Sequence, residues 1–323
     1  MDLKRTNSYL VKWIEQYLFF PTPFQRIIGL LLLPLTLLYS VVITFKRVTK
    51  NPQSFGIPVI SIGNLLVGGT GKTPITIALA QKYDDLAVVL RGYGRASKGL
   101  YVISLRGKIL EDVSISGDEA MLLSQSLPSA TIIVSENRSN AIIKAKELGC
   151  KVVFLDDGYG KHEILKYDLL LRPKNEPTNI FCLPSGGYRD SKMMYAFADC
   201  VLKEDLDFKR KISFKNTKNE IVEVLPENIL LLTAISKPNR LLEYLPSNIA
   251  MISFPDHYSF TQEDIFNLEK KYPDFSIVTT AKDMVKLTKL NLSLNVYLMD
   301  LHIDINKNIQ ERVDYYIQTF PNI

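Results

Sequence analysis

A glycine-rich turn lies between a short apolar run and a helical pattern early in the chain. The apolar run covers residues 59–62 and the helical pattern covers residues 74–82. Glycines let backbone N–H groups approach phosphate oxygens, and the start of the helix adds partial positive charge. Lys72 would place a charge at the β- and γ-phosphates of a nucleotide, and Thr73 a hydroxyl at Mg²⁺. We therefore predict an ATP-binding phosphate loop made of Gly68, Gly69, Thr70, Gly71, Lys72 and Thr73.

One position of this loop departs from the usual spacing. The pattern GxxxxGK[ST] has a glycine where this chain has Leu66, so the glycines are compressed toward Lys72. The alternative is a chance Gly-Lys-Thr in an ordinary turn. The flanking strand and helix favour the phosphate loop.

Strand-like runs alternate with helical patterns after the loop. This alternation predicts a parallel sheet with helices on both faces, and ligands of such sheets bind at the carboxyl ends of the strands. The apolar runs cover residues 86–90, 130–134 and 151–155, and the helical patterns between them cover residues 119–125 and 139–148.

The pattern changes after residue 201. Apolar residues alternate over 202–224 around a polar turn at 216–219, which predicts a two-stranded ribbon. Four more strand-like runs follow, with helical patterns between them, and indicate a smaller second α/β domain. The predicted organisation is an N-terminal membrane-associated helical segment (1–50), a P-loop kinase domain (51–201), a β-ribbon linker (202–226) and a second α/β domain (227–323).

The N-terminal segment contains an uncharged stretch at residues 27–45. Nineteen helical residues would extend about 28 Å, close to the hydrocarbon thickness of a bilayer. Trp13 and Tyr17 belong to an apolar stripe ahead of it, as in a helix lying in the membrane interface. Pro34 would kink a spanning helix, so a full span and a one-leaflet anchor both remain open, and a buried core helix is the alternative. An ATP site must face the cytosol, which places the residues from 46 onward on the cytosolic side of the membrane.

Acidic residues stand at the ends of predicted elements. Asp156 and Asp157 follow an apolar strand, where P-loop proteins hold an acid for Mg²⁺ or for the attacking group, although Asp-Asp-Gly is also a good turn. Asp118 stands at the start of a predicted helix, where it is either a catalytic residue or, like Ser116, an ordinary N-cap. His257 follows Asp256 in a polar cluster, where it could tune a base or lie in a plain loop.

Three loop arginines and the cysteines complete the candidates. Arg91, Arg95 and Arg138 could bind phosphates or lie in solvent. The three cysteines form no CxxC pair and no metal spacing with the three histidines, so we expect reduced thiols packed in a core and neither zinc nor disulfides.

The overall composition is that of a folded protein, with 46% hydrophobic and 23% charged residues. The net charge of +5 suits an anionic membrane or a phosphorylated substrate without selecting either. Since no dense basic stripe is interleaved with aromatic residues, nucleic-acid binding is not expected.

Taken in order, these motifs resemble the tetraacyldisaccharide 4′-kinase family of lipid A biosynthesis. The resemblance extends from the N-terminal segment to about residue 290, and the compressed glycine loop belongs to it. The matching segments are 61–74 (SIGNLLVGGTGKTP), 90–95 (LRGYGR), 117–119 (GDE), 156–158 (DDG), 233–240 (TAISKPNR), 254–261 (FPDHYSFT) and 279–283 (TTAKD).

The resemblance implies a reaction and a set of roles. The γ-phosphate of ATP would pass to the 4′-hydroxyl of a membrane-held tetraacyldisaccharide 1-phosphate, giving lipid IVA. It also implies two α/β domains joined by a β-ribbon, and no protein partner. By motif, Lys72 would hold phosphates, Thr73 would bind Mg²⁺, Asp118 would be the catalytic base and His257 its support. Asp156 and Asp157 would be the acidic pair at the metal and the reacting phosphate.

Two segments depart from the family pattern. Residues 159–162 are Tyr-Gly-Lys-His, where the family continues with an aromatic or leucine and then Gln-His. Residues 184–189 (PSGGYR) only loosely follow the family's Pro-Ala-Gly-Pro-Leu-Arg.

Two other classes of protein share part of these features. A membrane-anchored P-loop ATPase acting as a switch would explain the loop and the anchor, but not Asp118, His257 or the second domain. A P-loop ligase acting on a soluble metabolite would leave the anchor unexplained.

Overall fold

The chain begins with three helices that differ from a single membrane helix. The computed structural model describes residues 2–68, 71–235, 238–247, 249–256 and 258–321. The helices are α1 (Asp2–Phe19), α2 (Pro23–Leu31) and α3 (Leu33–Val48). Within those residues no single helix has the length and apolar character to cross a bilayer, whereas α2 and α3 together satisfy both criteria but are bent by 59°.

Proline explains why the uncharged stretch is not one straight helix. Pro34 has no N–H to donate, and its ring clashes with the carbonyl one turn earlier. The helix accordingly stops at Leu32, whose N–H bonds back to Ile28 and Gly29, and restarts with Pro34 in its first turn. The expectation of one N-terminal membrane helix is therefore replaced by a bent pair.

The described strands form two sheets, one of eight strands and one of six. The larger sheet has the order β4-β3-β5-β2-β6-β1-β7-β8, parallel from β5 to β8, with β3 antiparallel to both of its neighbours. Its strands are β1 (Val59–Asn64), β2 (Leu86–Leu90), β3 (Tyr101–Leu105), β4 (Lys108–Ile109), β5 (Thr131–Val134), β6 (Val152–Asp156), β7 (Tyr167–Arg172) and β8 (Cys200–Lys203).

Helices cover both faces of the larger sheet, as the alternation of its apolar runs predicts. One face packs against α4 and α6, and the other against α7. All three cysteines are buried, as expected for thiols packed in a core. The helices that follow β1 in this part of the chain are α4 (Lys72–Ala80), α5 (Val113–Ser116), α6 (Asp118–Ser126) and α7 (Arg138–Glu147).

The smaller sheet is mixed, with the order β10-β9-β14-β13-β11-β12. A 3-10 helix (Pro238–Tyr244) lies on one face, and α8 and α9 lie on the other. Its elements are β9 (Phe208–Lys215), β10 (Ile221–Val222), β11 (Ile229–Thr233), β12 (Ala250–Ser253), α8 (Gln262–Lys271), β13 (Ser276–Thr280), α9 (Ala281–Leu287) and β14 (Val296–Ile305).

A long antiparallel ribbon connects the two sheets. The predicted turn at 216–219 forms, but the main partner of β9 is β14, with register from Phe208↔Ile305 to Lys215↔Leu298. Phe208 is buried in the core of the larger sheet, whereas Phe214 packs in that of the smaller one. The chain therefore crosses between the sheets twice, once along each strand.

The last helix returns to the larger sheet. Helix α10 (Lys307–Thr319) follows β14 and buries Ile309 and Val313 in the same core as Ile60 and Phe154. The domain boundaries proposed from the sequence remain a prediction. Residues within the predicted 227–323 unit nevertheless complete the core of the nucleotide-loop sheet.

This packing generates a stability prediction. Ile309→Ala removes a side chain that is 3% exposed, so we expect the free energy of unfolding to fall by about 2–4 kcal/mol. Gln318→Ala on the exposed face of the same helix is the matched control and should change it by less than about 0.5 kcal/mol. Denaturant unfolding followed by circular dichroism measures both. Equal effects would show that α10 does not belong to this core.

Candidate functional site

Two neighbouring strands bring the predicted acids and the phosphate loop together. Strands β1 and β6 are parallel neighbours, with Ile62 in register with Asp156. Asn64 ends β1 and Asp156 ends β6, so their side chains lie at the same edge of the sheet. The turn after Asn64 leads directly into α4, which begins at Lys72. This arrangement supports the expectation that the site lies at the carboxyl ends of the strands.

Asp156 is the buried acid of the site, with 4% of its surface exposed. The hydroxyl of Thr73 donates to its Oδ2 at 2.8 Å, and the hydroxyl of Thr76 donates to its Oδ1 at 3.3 Å. Burial, together with the nearby charge of Glu119, raises the pKa of Asp156 to about 7. A cation bound here would offset this cost, and the adjacent oxygens of Thr73 and Asp156 are the kind of ligands that Mg²⁺ prefers.

Asp157 lies in a different electrostatic environment. Its backbone has a φ of 57°, a left-handed conformation that Asp tolerates better than most residues. The Nζ of Lys72 is 3.6 Å from Oδ1, and a guanidinium nitrogen of Arg189 is 3.2 Å from Oδ2. Burial works to raise the pKa of Asp157, but Lys72 and Arg189 outweigh it and hold the pKa below its usual value. The two adjacent carboxyls therefore differ in their affinity for a proton.

Asn64 and Leu66 build the wall next to these acids. Asn64 accepts from the Nζ of Lys72 at 3.2 Å and from Arg189 at 2.7 Å, and donates to the carbonyl of Leu66 at 2.8 Å. Arg189 donates to the same carbonyl at 3.0 Å. The Leu66 side chain packs in a core with Phe19 and Tyr188. The residue that breaks the usual loop pattern thus contributes its carbonyl to the site and its side chain to the core.

Gly71 requires the absence of a side chain. Its φ is 83°, and a Cβ there would lie 2.6 Å from a guanidinium nitrogen of Arg210, which comes from β9. Gly68 also has a positive φ. Gly69 and Thr70 lie outside the described residues. Both described glycines of the loop therefore adopt a backbone conformation that favours glycine, as expected of a phosphate-binding loop.

The three candidate arginines separate into different environments. Arg138 is 3% exposed; burial lowers its pKa to about 10, while Asp157 and Asp156 act in the opposite direction. Arg91 lines the cleft with its guanidinium 5.3 Å from the ring centre of Tyr93. Arg95 instead pairs with Glu136 and the carbonyl of Gly99, which is a structural role.

Asp118 is the first residue of α6, and the N-cap is Gly117. The interpretation of Asp118 or Ser116 as the N-cap is therefore wrong. Gly117 adopts a φ of 77° between α5 and α6, and a Cβ there would lie 2.8 Å from the carbonyl of Tyr93. The carboxylate of Asp118 contacts the Nζ of Lys286, on α9, at 2.8 Å.

His257 lies outside the described residues, and its neighbour Asp256 pairs with Lys282 at 3.0 Å.

A cleft of about 1690 Å³ opens between the two sheets above these residues. Its walls include the unusual 159–162 segment, where burial, Lys166 and Arg47 lower the pKa of His162 to about 4. The larger sheet contributes Lys72, Thr73, Glu119, Asp156 and Asp157 to its lining, and the ribbon and smaller sheet contribute Arg210, Arg240, Asp256 and Lys282.

Several residues of the site are absent from the set predicted from motifs. Asn64 and Arg189 stand inside quoted segments, but nothing in their spacing indicated that they would meet Lys72 and Asp157. Lys286 lies three positions beyond the TTAKD segment. A polar residue at the end of a buried strand was the available signal for Asn64.

The fold and the site define a P-loop nucleotide-binding protein of the phosphotransferase kind, with a smaller sheet across the cleft from the loop. A family model described as tetraacyldisaccharide-1-P 4′-kinase (LpxK) matches residues 28–318. The chain belongs to this family.

Curated relatives carry the same description. A tetraacyldisaccharide 4′-kinase of Aliarcobacter butzleri is 60% identical over 95% of this chain and 98% of its own length. Proteins of the same name from Helicobacter acinonychis and Campylobacter jejuni are 42% and 38% identical, each over at least 95% of both chains.

A solved structure has the same fold. It is described as the "apo" form of LpxK from Aquifex aeolicus in complex with ATP, and it superimposes with a TM-score of 0.71. The match covers 90% of this chain and 99% of that one at 24% sequence identity.

The raised pKa of Asp156 generates a pH prediction. Because the pKa of Asp156 is higher in the folded protein, folding favours the protonated carboxyl. This contribution to stability is complete below the ordinary pKa of 3.8 and is lost as the pH rises through about 7. Asp156→Asn should therefore stabilise the nucleotide- and magnesium-free protein more at pH 8 than at pH 4, by up to about 4 kcal/mol. Denaturant unfolding at both pH values measures this difference. The exposed Asp84→Asn is the control, and a pH-independent effect of Asp156→Asn would contradict the prediction.

Proposed function

We propose that this chain transfers the γ-phosphoryl group of ATP to the 4′-hydroxyl of tetraacyldisaccharide 1-phosphate, giving lipid IVA in lipid A biosynthesis. The observation that carries the proposal is the convergence of Lys72, Thr73, Asp156 and Asp157 at one edge of the larger sheet, beneath the cleft between the two sheets. In the reaction the bond between the γ-phosphorus and its bridging oxygen breaks, a bond from the sugar oxygen to phosphorus forms, and the hydroxyl proton passes to a base. The family membership of the chain supports this choice of acceptor.

The cations around the phosphate loop suit the charge of ATP. Lys72 is 3.6 Å from Asp157, and a triphosphate arriving at the loop would offer its ammonium a second anionic partner. Thr73 and Asp156 would hold Mg²⁺, which when bound neutralises charge on the β- and γ-phosphates. The buried Arg138 adds a further positive charge beside the two acids. These groups would stabilise charge that develops as the phosphoryl group moves.

Asp118 is the proposed catalytic base and His257 its support. A sugar hydroxyl is a poor nucleophile, so a positioned carboxylate must accept its proton as the bond to phosphorus forms. Asp118 lies at the start of α6, next to Glu119, which lines the cleft. Asp157, held ionised by Lys72 and Arg189, would face the reacting phosphate together with these groups.

The N-terminal helices are proposed to bring the enzyme to its lipid substrate at the cytoplasmic side of the inner membrane. Acyl chains of the acceptor remain in the bilayer, so the sugar must be phosphorylated at the membrane surface. Helices α2 and α3 expose a continuous series of large apolar side chains, which is unusual for a water-facing surface. They are Phe24, Ile27, Leu30, Leu31, Leu35, Leu37, Leu38, Val41, Val42, Phe45 and Val48.

The same helices are tied to the body of the protein. Thr36 donates to the hydroxyl of Ser185 at 2.7 Å, and Tyr39 donates to the carbonyl of Arg189 at 2.7 Å. An anchor fixed in this way would hold the cleft at a defined height above the bilayer.

The kinase reaction is tested with radiolabelled ATP and tetraacyldisaccharide 1-phosphate in mixed micelles. Asp118→Asn should lower kcat by about 100-fold or more while ATP binding is retained, because proton transfer is lost and the phosphate loop is unchanged. Lys72→Met should lower kcat/KM by about 10²–10³ through loss of charge stabilisation.

The control for these variants is Lys144→Met, an exposed lysine of α7 paired with Glu147. It should retain wild-type turnover. ATP hydrolysis by the wild-type protein without a phosphorylated lipid product would favour an ATPase switch instead.

Membrane association is tested with charge substitutions on the exposed face of α3. Leu37→Asp and Val41→Asp should each weaken binding to anionic phospholipid vesicles by about tenfold to 100-fold, because a carboxylate is costly in the apolar layer. Vesicle sedimentation measures the bound fraction. Leu206→Asp, at a comparably exposed leucine away from these helices, is the matched control. Unchanged sedimentation of the α3 variants would contradict the anchor.

A further inference from the structure

Lys286 is a buried lysine that the motifs do not include. Its side chain is 6% exposed and projects from α9 of the smaller sheet. The ammonium lies 2.8 Å from Oδ2 of Asp118, 3.1 Å from the carbonyl oxygen of Tyr258 and 3.5 Å from Oδ1 of Asp283. A buried ammonium is costly unless its donors are satisfied, and here it has an anionic or polar partner in each of three directions.

Asp283, three residues earlier on α9, is the second anionic partner of this lysine. Its carboxyl is fully buried, and Oδ2 accepts from the hydroxyl of Thr233 at 2.7 Å, the N–H of Ala234 at 3.0 Å and the hydroxyl of Thr280 at 2.9 Å. These donors lie at the ends of β11 and β13, which are paired neighbours in the smaller sheet. The Lys286 ammonium therefore contacts Asp283 on its own helix and Asp118 on α6 at the same time.

The contact joins the two halves of the cleft. Asp118 begins α6 on the larger sheet, whereas Lys286 belongs to the smaller sheet, and α6 and α9 pack against each other. Lys286 also holds the carbonyl of Tyr258, the residue that follows His257 in the chain. One side chain thus connects the proposed base with the segment that carries its proposed support.

We propose that Lys286 is a positioning residue that orients the carboxylate of Asp118 and keeps it ionised, so that the base is set for the substrate hydroxyl. This inference rests on the proposed function of Asp118. An ionised carboxylate has about four lone-pair sites, so it can accept from Lys286 and from a substrate hydroxyl together. In the described part of the chain the polar contacts of the Lys286 ammonium are with Asp118, Tyr258 and Asp283, so Lys286 acts through Asp118.

Charged groups on the elements that pack against α6 enter the pH response of Asp118. Besides Lys286, they are Glu119 on α6 itself, Lys72 on α4, Asp112 at the start of α5, Arg95 beside Gly117, and Lys282 and Asp283 on α9. An opposite charge in contact favours the ionised form of a carboxyl by about one to three pKa units. Removing Lys286 while the other groups stay should therefore move protonation of the base to higher pH.

The experiment compares Lys286→Met with wild type in single-turnover phosphorylation of tetraacyldisaccharide 1-phosphate between pH 5 and 9. We expect the rate constant to fall by about 100-fold and the acid limb of the pH profile to move up by about one unit. The ATP concentration that gives half the maximal rate should change by less than about twofold. Lys286→Arg, which keeps the charge, should leave the acid limb near its wild-type position. Lys289→Met, an exposed lysine just beyond α9, is the control with the same chemical change.

Lys286→Gln provides a second neutral variant should methionine prevent folding, since its amide still donates to the surrounding oxygens. The same shift of the acid limb is expected for it. A folded neutral variant with a wild-type rate and an unmoved acid limb overturns the proposal. A lower melting temperature with an unmoved acid limb also overturns it, because it assigns Lys286 a purely structural role.

The wild-type protein separates this result from failure of the proposed function. If wild type forms no phosphorylated lipid, the function of the site is wrong regardless of Lys286. If wild type is active and Asp118→Asn retains that activity, the base assignment is wrong. The Lys286 variants decide the positioning role only when both of those tests succeed.

Discussion

The ion contacts between Asp157, Lys72 and Arg189 are the interaction on which the rest of the site depends. Three chain segments meet there: the start of α4, the end of β6 and the loop that carries Arg189. Without these cations, adjacent carboxyls at the end of a buried strand would both favour protonation. With them, Asp157 stays ionised while the deeper Asp156 holds its proton more tightly. Two adjacent residues thus supply one carboxyl that is readily protonated, Asp156, and one that stays ionised, Asp157.

The sequence predicted the parts of the site that lie within one continuous motif. Lys72, Thr73 and the acidic pair occur at strand ends, and parallel strands bring such ends to one edge. Contacts between distant segments could not be predicted in this way, because Arg189 and Lys286 reach their partners through loop and helix packing that leaves no regular spacing. Gly117 shows a subtler limit, since a capping pattern does not reveal that only glycine fits beneath the carbonyl of Tyr93.

The sequence likewise predicted the local elements of the fold but not their long-range pairing. Apolar runs identified the central strands β1, β2, β5 and β6, because both of their faces are buried and the runs are continuous. The ribbon was recognised only by its local turn, since the pairing of β9 with β14 spans a large sequence separation. The return of α10 to the first core has the same cause. Periodicity specifies which face of a helix is apolar and not which sheet it will cover.

The loop at 178–190 connects the N-terminal helices to the phosphate site. Its Ser185 is held by Thr36 and Gly29, and the carbonyl of Arg189 accepts from Tyr39, while the Arg189 side chain contacts Asn64 and Asp157. Arg47 pairs with the next residue, Asp190. The backbone that carries one of the two cations at Asp157 is therefore positioned by the same helices that expose the apolar surface. Displacing those helices would remove hydrogen-bond partners from buried groups of this loop, and so alter the charge balance of the acidic pair without any change at the phosphate loop itself.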